Sequence, residues 1–74
     1  SSPSDDLERK ELKIMVEKAV QGLPESLRFP ILLSQFEEKS YQEIADILEI
    51  SVKAVERRIY HAKGLLRQKL SKYF

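Results

Sequence analysis

Apolar residues recur along this chain at intervals of three and four positions, which is the spacing of an amphipathic α-helix. No segment shows the period of two that is typical of a half-buried strand. The pattern therefore predicts an all-α fold. The first periodic segment places its apolar residues on one face: Leu12, Met15, Val16, Ala19, Val20 and Leu23.

Helix-terminus signals divide the pattern into four predicted helices. We expect them at residues 5–21, 24–37, 41–48 and 52–71. Asp5 and Glu8 can form a capping box at the start of the first helix, and Pro24 suits the first turn of the second. Ser40 and Ser51 are good N-caps for the third and fourth helices.

Glycine and proline predict local features within this arrangement. Gly22 is expected to end the first helix in the left-handed conformation, and Pro30 is expected to bend the second. Gly64 weakens the fourth helix by up to about 1 kcal/mol relative to alanine. Residues 1–4 are interpreted as a polar linker or cloning remnant, and residues 5–74 as one domain.

Composition narrows the function. A chain of 74 residues supports one small domain, and it has no cysteine and one histidine. We therefore expect no disulfide, metal site or cofactor. No nucleophile–base set or glycine-rich phosphate loop is present, so an enzyme acting on a small-molecule substrate is not expected. There is no run of membrane-span length and no signal-like segment, so we expect a soluble, cytoplasmic protein.

The charge is strongly uneven, although the formal net charge is only +1. Residues 52–74 contain seven basic residues and one acid, a net charge of +6. Residues 1–51 contain six bases and eleven acids, a net charge of −5. A basic segment of this density favours a polyanionic partner, although a solvated helix end can also carry it. Solvation is the favoured interpretation for the last bases: Arg67, Lys69 and Lys72.

The third and fourth predicted helices have the organisation of a helix-turn-helix without a wing. A short helix, a tight turn and a longer basic helix are its signature. Ala45 is small enough to allow a close helix crossing, and Ile50 can fill the space between the two helices. The fourth helix would then enter the major groove of DNA.

Helical rotation identifies the side chains that would face the groove. Helical rotation places Lys53, Arg57, Tyr60 and His61 on the side away from the predicted core. Lys53 and Arg57 can donate to guanine, and Ala54 can touch a thymine methyl group. Arg58 or Lys63 can reach a phosphate.

Three further positions belong to the predicted DNA site through the helix N-termini. Backbone N–H groups near Ser40 and Ser51 can donate to phosphate oxygens. Tyr41 can contact phosphate through its hydroxyl group or pack against a neighbouring helix. Glu56 can accept a hydrogen bond from cytosine, but it repels phosphate, so its role is open.

Residues 23–70 resemble region four of bacterial sigma factors, most closely the extracytoplasmic-function (ECF) group. The resemblance lies in the opening "LPE…R…L", in the helix "SYQEIADIL" and in the spacing of five residues: Ser51, Val55, Arg58, Ala62 and Leu66. Ala54 and Glu56 depart from the group, which often has a hydroxyl residue and a lysine there.

The resemblance implies that the fourth helix reads the minus-thirty-five element of promoter DNA. It also implies that the first two helices meet the flap of RNA polymerase and often an anti-sigma factor. Leu27, Phe29 and Ile31 are the predicted partner-binding residues, and Phe74 could extend an exposed apolar strip. Nothing resembles region two, so the chain is expected to be a piece of a longer sigma factor.

Two alternatives remain open at this stage. One is the output domain of a two-component-type transcriptional regulator, which is also a four-helix helix-turn-helix. The other is a sigma-like decoy that binds an anti-sigma factor and never touches DNA. The "LPE…R" opening argues against the first, and the +6 charge of residues 52–74 argues against the second.

Overall fold

The computed structural model describes the backbone of residues 3–71 and the side chains of residues 6–71. This part of the chain forms four α-helices and no strand, which confirms the predicted all-α fold. The helices are α1 (Pro3–Gln21), α2 (Glu25–Gln35), α3 (Tyr41–Leu48) and α4 (Val52–Leu70).

The observed bounds differ from the predicted ones mainly in α1 and α2. α1 begins at Pro3, so Pro3 and Ser4 are helical where a linker was expected. Proline suits the first turn of a helix because the missing N–H has no helical acceptor there. Asp5 consequently lies inside α1 and is not its N-cap. In α2, Pro24 is the N-cap residue and the helix ends two residues before Glu37.

α4 is the centre of the packing. It contacts each of the other three helices, and α2 also packs against α1 and α3. The core consists of nine buried apolar residues drawn from all four helices and the α1–α2 turn: Val20, Leu23, Leu27, Ile31, Ile44, Ala45, Val55, Ile59 and Ala62. Because α4 touches every other helix, its orientation is determined by the whole core.

The turn between α3 and α4 fixes the relation of these two helices. Glu49 adopts the left-handed conformation, with φ 56° and ψ 45°. The backbone N–H groups of Glu49 and Ile50 both donate to the carbonyl oxygen of Ala45. Ala45 is buried and Ile50 packs against the core, as predicted. These contacts confirm the helix-turn-helix.

Gly22 ends α1 in a way that the sequence did not predict. Its φ is not positive, so the expected left-handed conformation is wrong. A Cβ atom at this position would lie 2.6 Å from Lys69 Nζ, so the missing side chain leaves room for an ammonium group. Arg28 Nη1 also approaches the carbonyl oxygen of Gln21, at 3.5 Å. Two cations thus complement the negative end of the α1 dipole.

Lys69 is exposed, which is compatible with the solvated interpretation of this residue. Pro30 is fully buried inside α2, where its ring contributes to the core. The bend predicted at Pro30 stays a prediction.

The first half of α1 projects from this core. Every side chain of residues 6–14 is exposed. Leu12, which periodicity assigned to the core, is among them. The part of α1 that packs begins after Ile14 and centres on Val16 and Val20.

The two glycines are expected to respond differently to alanine. A Cβ atom at Gly64 would meet nothing within 4 Å, so Gly64→Ala should raise the free energy of unfolding by about 1 kcal/mol. Gly22→Ala would gain about 0.4–1 kcal/mol from the unfolded chain. It would lose about 0.3–1 kcal/mol by displacing Lys69. Its net effect should be near zero.

Urea denaturation of both single variants measures these changes. The matched control is Gly22→Ala in a Lys69→Ala background, where no ammonium remains to be displaced and the substitution should become stabilising. Equal effects of Gly22→Ala in both backgrounds would contradict the role given to Lys69.

Candidate nucleic-acid interface

The N-terminus of α4 is capped as predicted. The hydroxyl oxygen of Ser51 accepts a hydrogen bond from the N–H of Ala54, at 3.1 Å. The first N–H groups of a helix have no carbonyl partner within it, and those of Val52 and Lys53 precede the capped one. They are positioned to donate to an anion at this end of the helix.

The N-terminus of α3 carries a complete capping box. Glu43 N–H donates to Ser40 Oγ at 3.1 Å, and Ser40 N–H donates to Glu43 Oε1 at 2.9 Å. The pKa of Glu43 is lowered from its ordinary value. The larger cause is the hydrogen bond with the backbone N–H of Ser40, and the second is a hydrogen bond with the Ser40 side chain. Tyr41, at the first position of α3, is 36% exposed.

The outer face of α4 is separated from its buried face as the sequence predicts. Val55 and Ile59 are buried and hold the helix against α2 and α3. Lys53, Arg57 and His61 are all exposed. Rotation by 100° per residue places these three within one sector of the helix surface.

The remaining predicted residues of α4 lie beside this sector. Ala54 and Arg58 are half-buried, and Glu56 is exposed. Lys63 is also exposed, but it lines a groove with Val16 and Leu66. It is rotated about 120° from Arg57 but only about 20° from Glu56, two turns earlier, so Lys63 lies at the border between the outer face of α4 and the groove.

Tyr60 was predicted to lie on the outward side of α4, although it was not among the predicted DNA contacts. Its side chain is 82% exposed, the most exposed large apolar residue described. It lies seven positions after Lys53 and three after Arg57, a spacing that places it on the same face. That spacing was the available signal, because an exposed aromatic ring on a polar face is unusual.

The side chains at the start of this face are free of partners within the fold. Lys53, Glu56 and Arg57 make no hydrogen bond or ion pair with any side chain among the described residues. Their polar groups are therefore available to an external molecule. We call the exposed set Lys53, Glu56, Arg57, Tyr60 and His61 the reading face.

The predicted partner-binding surface requires a correction. Leu27 and Ile31 are only 6% and 1% exposed and belong to the core, so they do not form the exposed partner surface that was expected, although Ile31 also lines a groove. Phe29 is 44% exposed, which is compatible with its predicted role. Phe36 is 45% exposed.

α2 has two apolar faces, which explains this error. Leu27 and Ile31 face the core, whereas residues 29, 32 and 36 follow helical spacing on the opposite side. We call Phe29, half-buried Leu32 and Phe36 the outer stripe of α2. Phe74, predicted to extend an exposed strip, lies outside the described residues.

A groove of about 320 Å³ adjoins the outer stripe between α1, α2 and α4. Its lining is mostly apolar: Val16, Val20, Ile31, Gln35, Phe36, Lys63 and Leu66. Lys63 supplies the one positive charge among these residues. The groove could receive an amphipathic segment that carries apolar side chains.

Comparison with known proteins gives the family. The family described as "Sigma-70, region 4" matches residues 13–66, more than half of the chain. The chain belongs to this sigma-70 region 4 family. The match includes the groove, the helix-turn-helix and the whole reading face.

Curated relatives support the same family. The chain is 35% identical over 69 residues to the RNA polymerase sigma-H factor of Pseudomonas aeruginosa, covering 93% of the chain and 36% of that protein. It is 32% identical over 69 residues to the ECF RNA polymerase sigma-E factor of Haemophilus influenzae, with the same coverage of 93% and 36%. Against the Escherichia coli K12 sigma-E factor, identity is 34% over 70 residues, covering 95% and 37%. The chain thus spans little more than a third of these relatives.

Residues 6–71 contain no group of three or more histidine, cysteine, aspartate or glutamate side chains that could hold a metal ion. None of the described helices is both long enough and apolar enough to cross a membrane.

The capping box of this family member should make stability depend on pH. Because the pKa of Glu43 is lowered in the fold, its charge contributes stability above the unfolded pKa. That contribution is lost as the pH falls through the folded pKa. Glu43→Gln keeps an oxygen acceptor but removes the charge. We expect its destabilisation to be present at neutral pH and to disappear below pH 4.5, the ordinary value for this group.

Urea denaturation of wild type and Glu43→Gln across the acidic range measures this difference. Ser40→Ala is the companion variant, and it should lower the free energy of unfolding by about 1 kcal/mol at neutral pH. A Glu43→Gln effect that stayed constant through the acidic range would contradict the assignment.

Proposed function

We propose that the chain is the promoter-reading domain of an ECF-type sigma factor. In this proposal α4 enters the major groove at the minus-thirty-five element, and the chain acts by binding and not as an enzyme. The observation that carries the proposal is the reading face, which presents unpaired Lys53 and Arg57 on a helix held by the core.

The dimensions of DNA support this arrangement. The major groove admits one α-helix and displays a different pattern of donors and acceptors for each base pair. Lys53 and Arg57 lie one turn apart near the start of α4, where a docked recognition helix reaches the bases. Both are donors suited to guanine O6 and N7. Ala54 is placed to contact a thymine methyl group.

Phosphate contacts would position the domain on the duplex. The capped N-termini at Ser40 and Ser51 offer N–H groups, and Arg58 offers a guanidinium beside the reading face. Tyr41 can add a hydroxyl contact at the start of α3. These contacts carry little sequence information but much of the affinity. Binding should therefore weaken steeply as salt is raised.

RNA polymerase is the proposed second partner. The outer stripe of α2 and the adjoining groove form an apolar surface that Lys53 and Arg57 do not line. A polymerase helix from the flap could occupy it while α4 stays on DNA. An anti-sigma factor that uses the same stripe would compete with polymerase. The resulting activity of the whole protein is transcription initiation at selected promoters.

Substitutions on the reading face should reduce both affinity and selectivity. Arg57→Ala and Lys53→Ala should each weaken binding to a duplex with a minus-thirty-five-like box by about 5- to 150-fold, the effect of losing about 1–3 kcal/mol of base recognition. Fluorescence titration at several salt concentrations measures the change, with a scrambled duplex as reference.

Arg67→Ala is the matched control because Arg67 is exposed on the same helix ten positions after Arg57. It should cause a smaller loss that is equal on both duplexes. If wild type bound neither duplex at low salt, or if Arg57→Ala matched Arg67→Ala, the proposed reading face would be wrong.

The polymerase surface is tested separately. Phe36→Asp should weaken binding to sigma-free RNA polymerase core by about tenfold or more, because it places a charge at the centre of the apolar surface. Its affinity for DNA should be unchanged. Biolayer interferometry with immobilised core enzyme provides the measurement.

Ile47→Asp is the control for a general effect of a new surface acid. Ile47 is an exposed apolar residue of α3 outside the groove. Equal losses for Ile47→Asp and Phe36→Asp would show that the outer stripe is not the polymerase contact.

A further inference from the structure

Glu56 is the one acidic residue in the basic segment 52–74. It is exposed in the second turn of α4 and has no hydrogen bond or ion pair with a described side chain. Lys53 and Tyr60 are near it on the helix surface, three positions before and four positions after. Glu56 is therefore part of the surface that would face a bound duplex.

An unpaired carboxylate at this position lowers the affinity for DNA unless it finds a hydrogen-bond donor. The duplex carries one negative charge for about every 1.7 Å of its axis, and a carboxylate near a phosphate is repelled. The unfavourable interaction is offset only if the oxygen atoms reach a hydrogen-bond donor. Within the major groove, the base donors are the amino groups of cytosine N4 and adenine N6.

The neighbouring atoms distinguish these two donors. Adenine presents the N7 acceptor beside its N6 amino group, so a carboxylate that approaches N6 also meets a lone pair. An amide, with a donor and an acceptor, suits adenine better. Cytosine presents N4 as a donor with no acceptor of its own at the groove edge. A carboxylate is therefore matched to cytosine.

We propose that Glu56 is a specificity-determining residue that selects a C·G pair by accepting a hydrogen bond from cytosine N4. This inference rests on the proposed function of the reading face. In the same position Glu56 weakens binding to duplexes that offer it no donor. The face then combines two cationic donors with one anionic acceptor.

The combination has a physical consequence for selectivity. A face made only of lysine and arginine gains affinity from every phosphate and from every guanine. Glu56 lowers the affinity for all sequences except those with cytosine at one position. Discrimination is thereby increased through a repulsive contribution to the wrong sites as well as an attractive contribution to the right one.

A selection from a randomised duplex library, carried out with wild type, Glu56→Ala and Glu56→Gln, tests the proposal. Wild type should prefer cytosine at one position by about 5- to 150-fold. Glu56→Ala should lose this preference and bind the scrambled duplex as well as wild type or better. Glu56→Gln keeps an oxygen acceptor and should retain part of the preference. Glu37→Gln, which removes an exposed acid outside α4, should leave it intact.

A second arm removes the donor from DNA instead of the acceptor from the protein. At the selected position, cytosine is replaced by a pyrimidin-2-one nucleotide, which lacks the 4-amino group. Wild type should lose affinity, whereas Glu56→Ala should bind both duplexes equally. This double-mutant cycle isolates the contact between Glu56 and the amino group.

The outcomes separate the two levels of the proposal. If wild type shows no sequence preference at all, the proposed function fails and the role of Glu56 fails with it. If wild type is selective but Glu56→Ala strengthens binding to every duplex equally and keeps the same preferences, only the role of Glu56 is overturned.

Discussion

The turn at Glu49 is the constraint on which the rest of the structure depends. Two backbone N–H groups converge on the carbonyl oxygen of Ala45 while Glu49 adopts a left-handed conformation. This geometry directs α4 across the other helices, so one face is buried and the other is free. A non-glycine residue in the left-handed region is strained, and the surrounding core must stabilise it. The side chains proposed to contact DNA are exposed because this turn fixes the orientation of α4.

The exposed basic residues of α4 differ in what lies beside them. Lys69 lies near the carboxyl end of α1, where the backbone of Gly22 leaves space for its ammonium group. Lys53 and Arg57 have no partner in the described structure. The positive charge of the segment is therefore not all in one environment, and the cations at the start of α4 are the ones with no neighbouring helix end.

The sequence predicted where the helices of this domain begin and end better than it predicted which face of each helix is buried. The bounds of α3 and the capping box at Ser40 followed from local hydrogen bonding, which a few adjacent residues determine. The faces of α2 could not be assigned in this way, because both of its sides are apolar. Only the contact with α4 decides that Ile31 is buried and Phe36 is exposed.

The surroundings of Gly22 illustrate the same limit. The space beside it is filled by the Nζ atom of Lys69, a residue 47 positions away in the chain. Periodicity identified the sector of α4 but not which of its members would be free of neighbours. Long-range packing supplied the missing information.

The separation of the two sides of α4 has a consequence for how such domains diverge. Val55, Ile59 and Ala62 are buried, whereas Lys53 and Arg57 are exposed and have no partner among the described residues. Under the proposed function, substitutions on the buried side change stability and substitutions on the exposed side change the preferred DNA sequence. On that proposal a lineage moves from one target to another in single steps, each made by a fully folded protein.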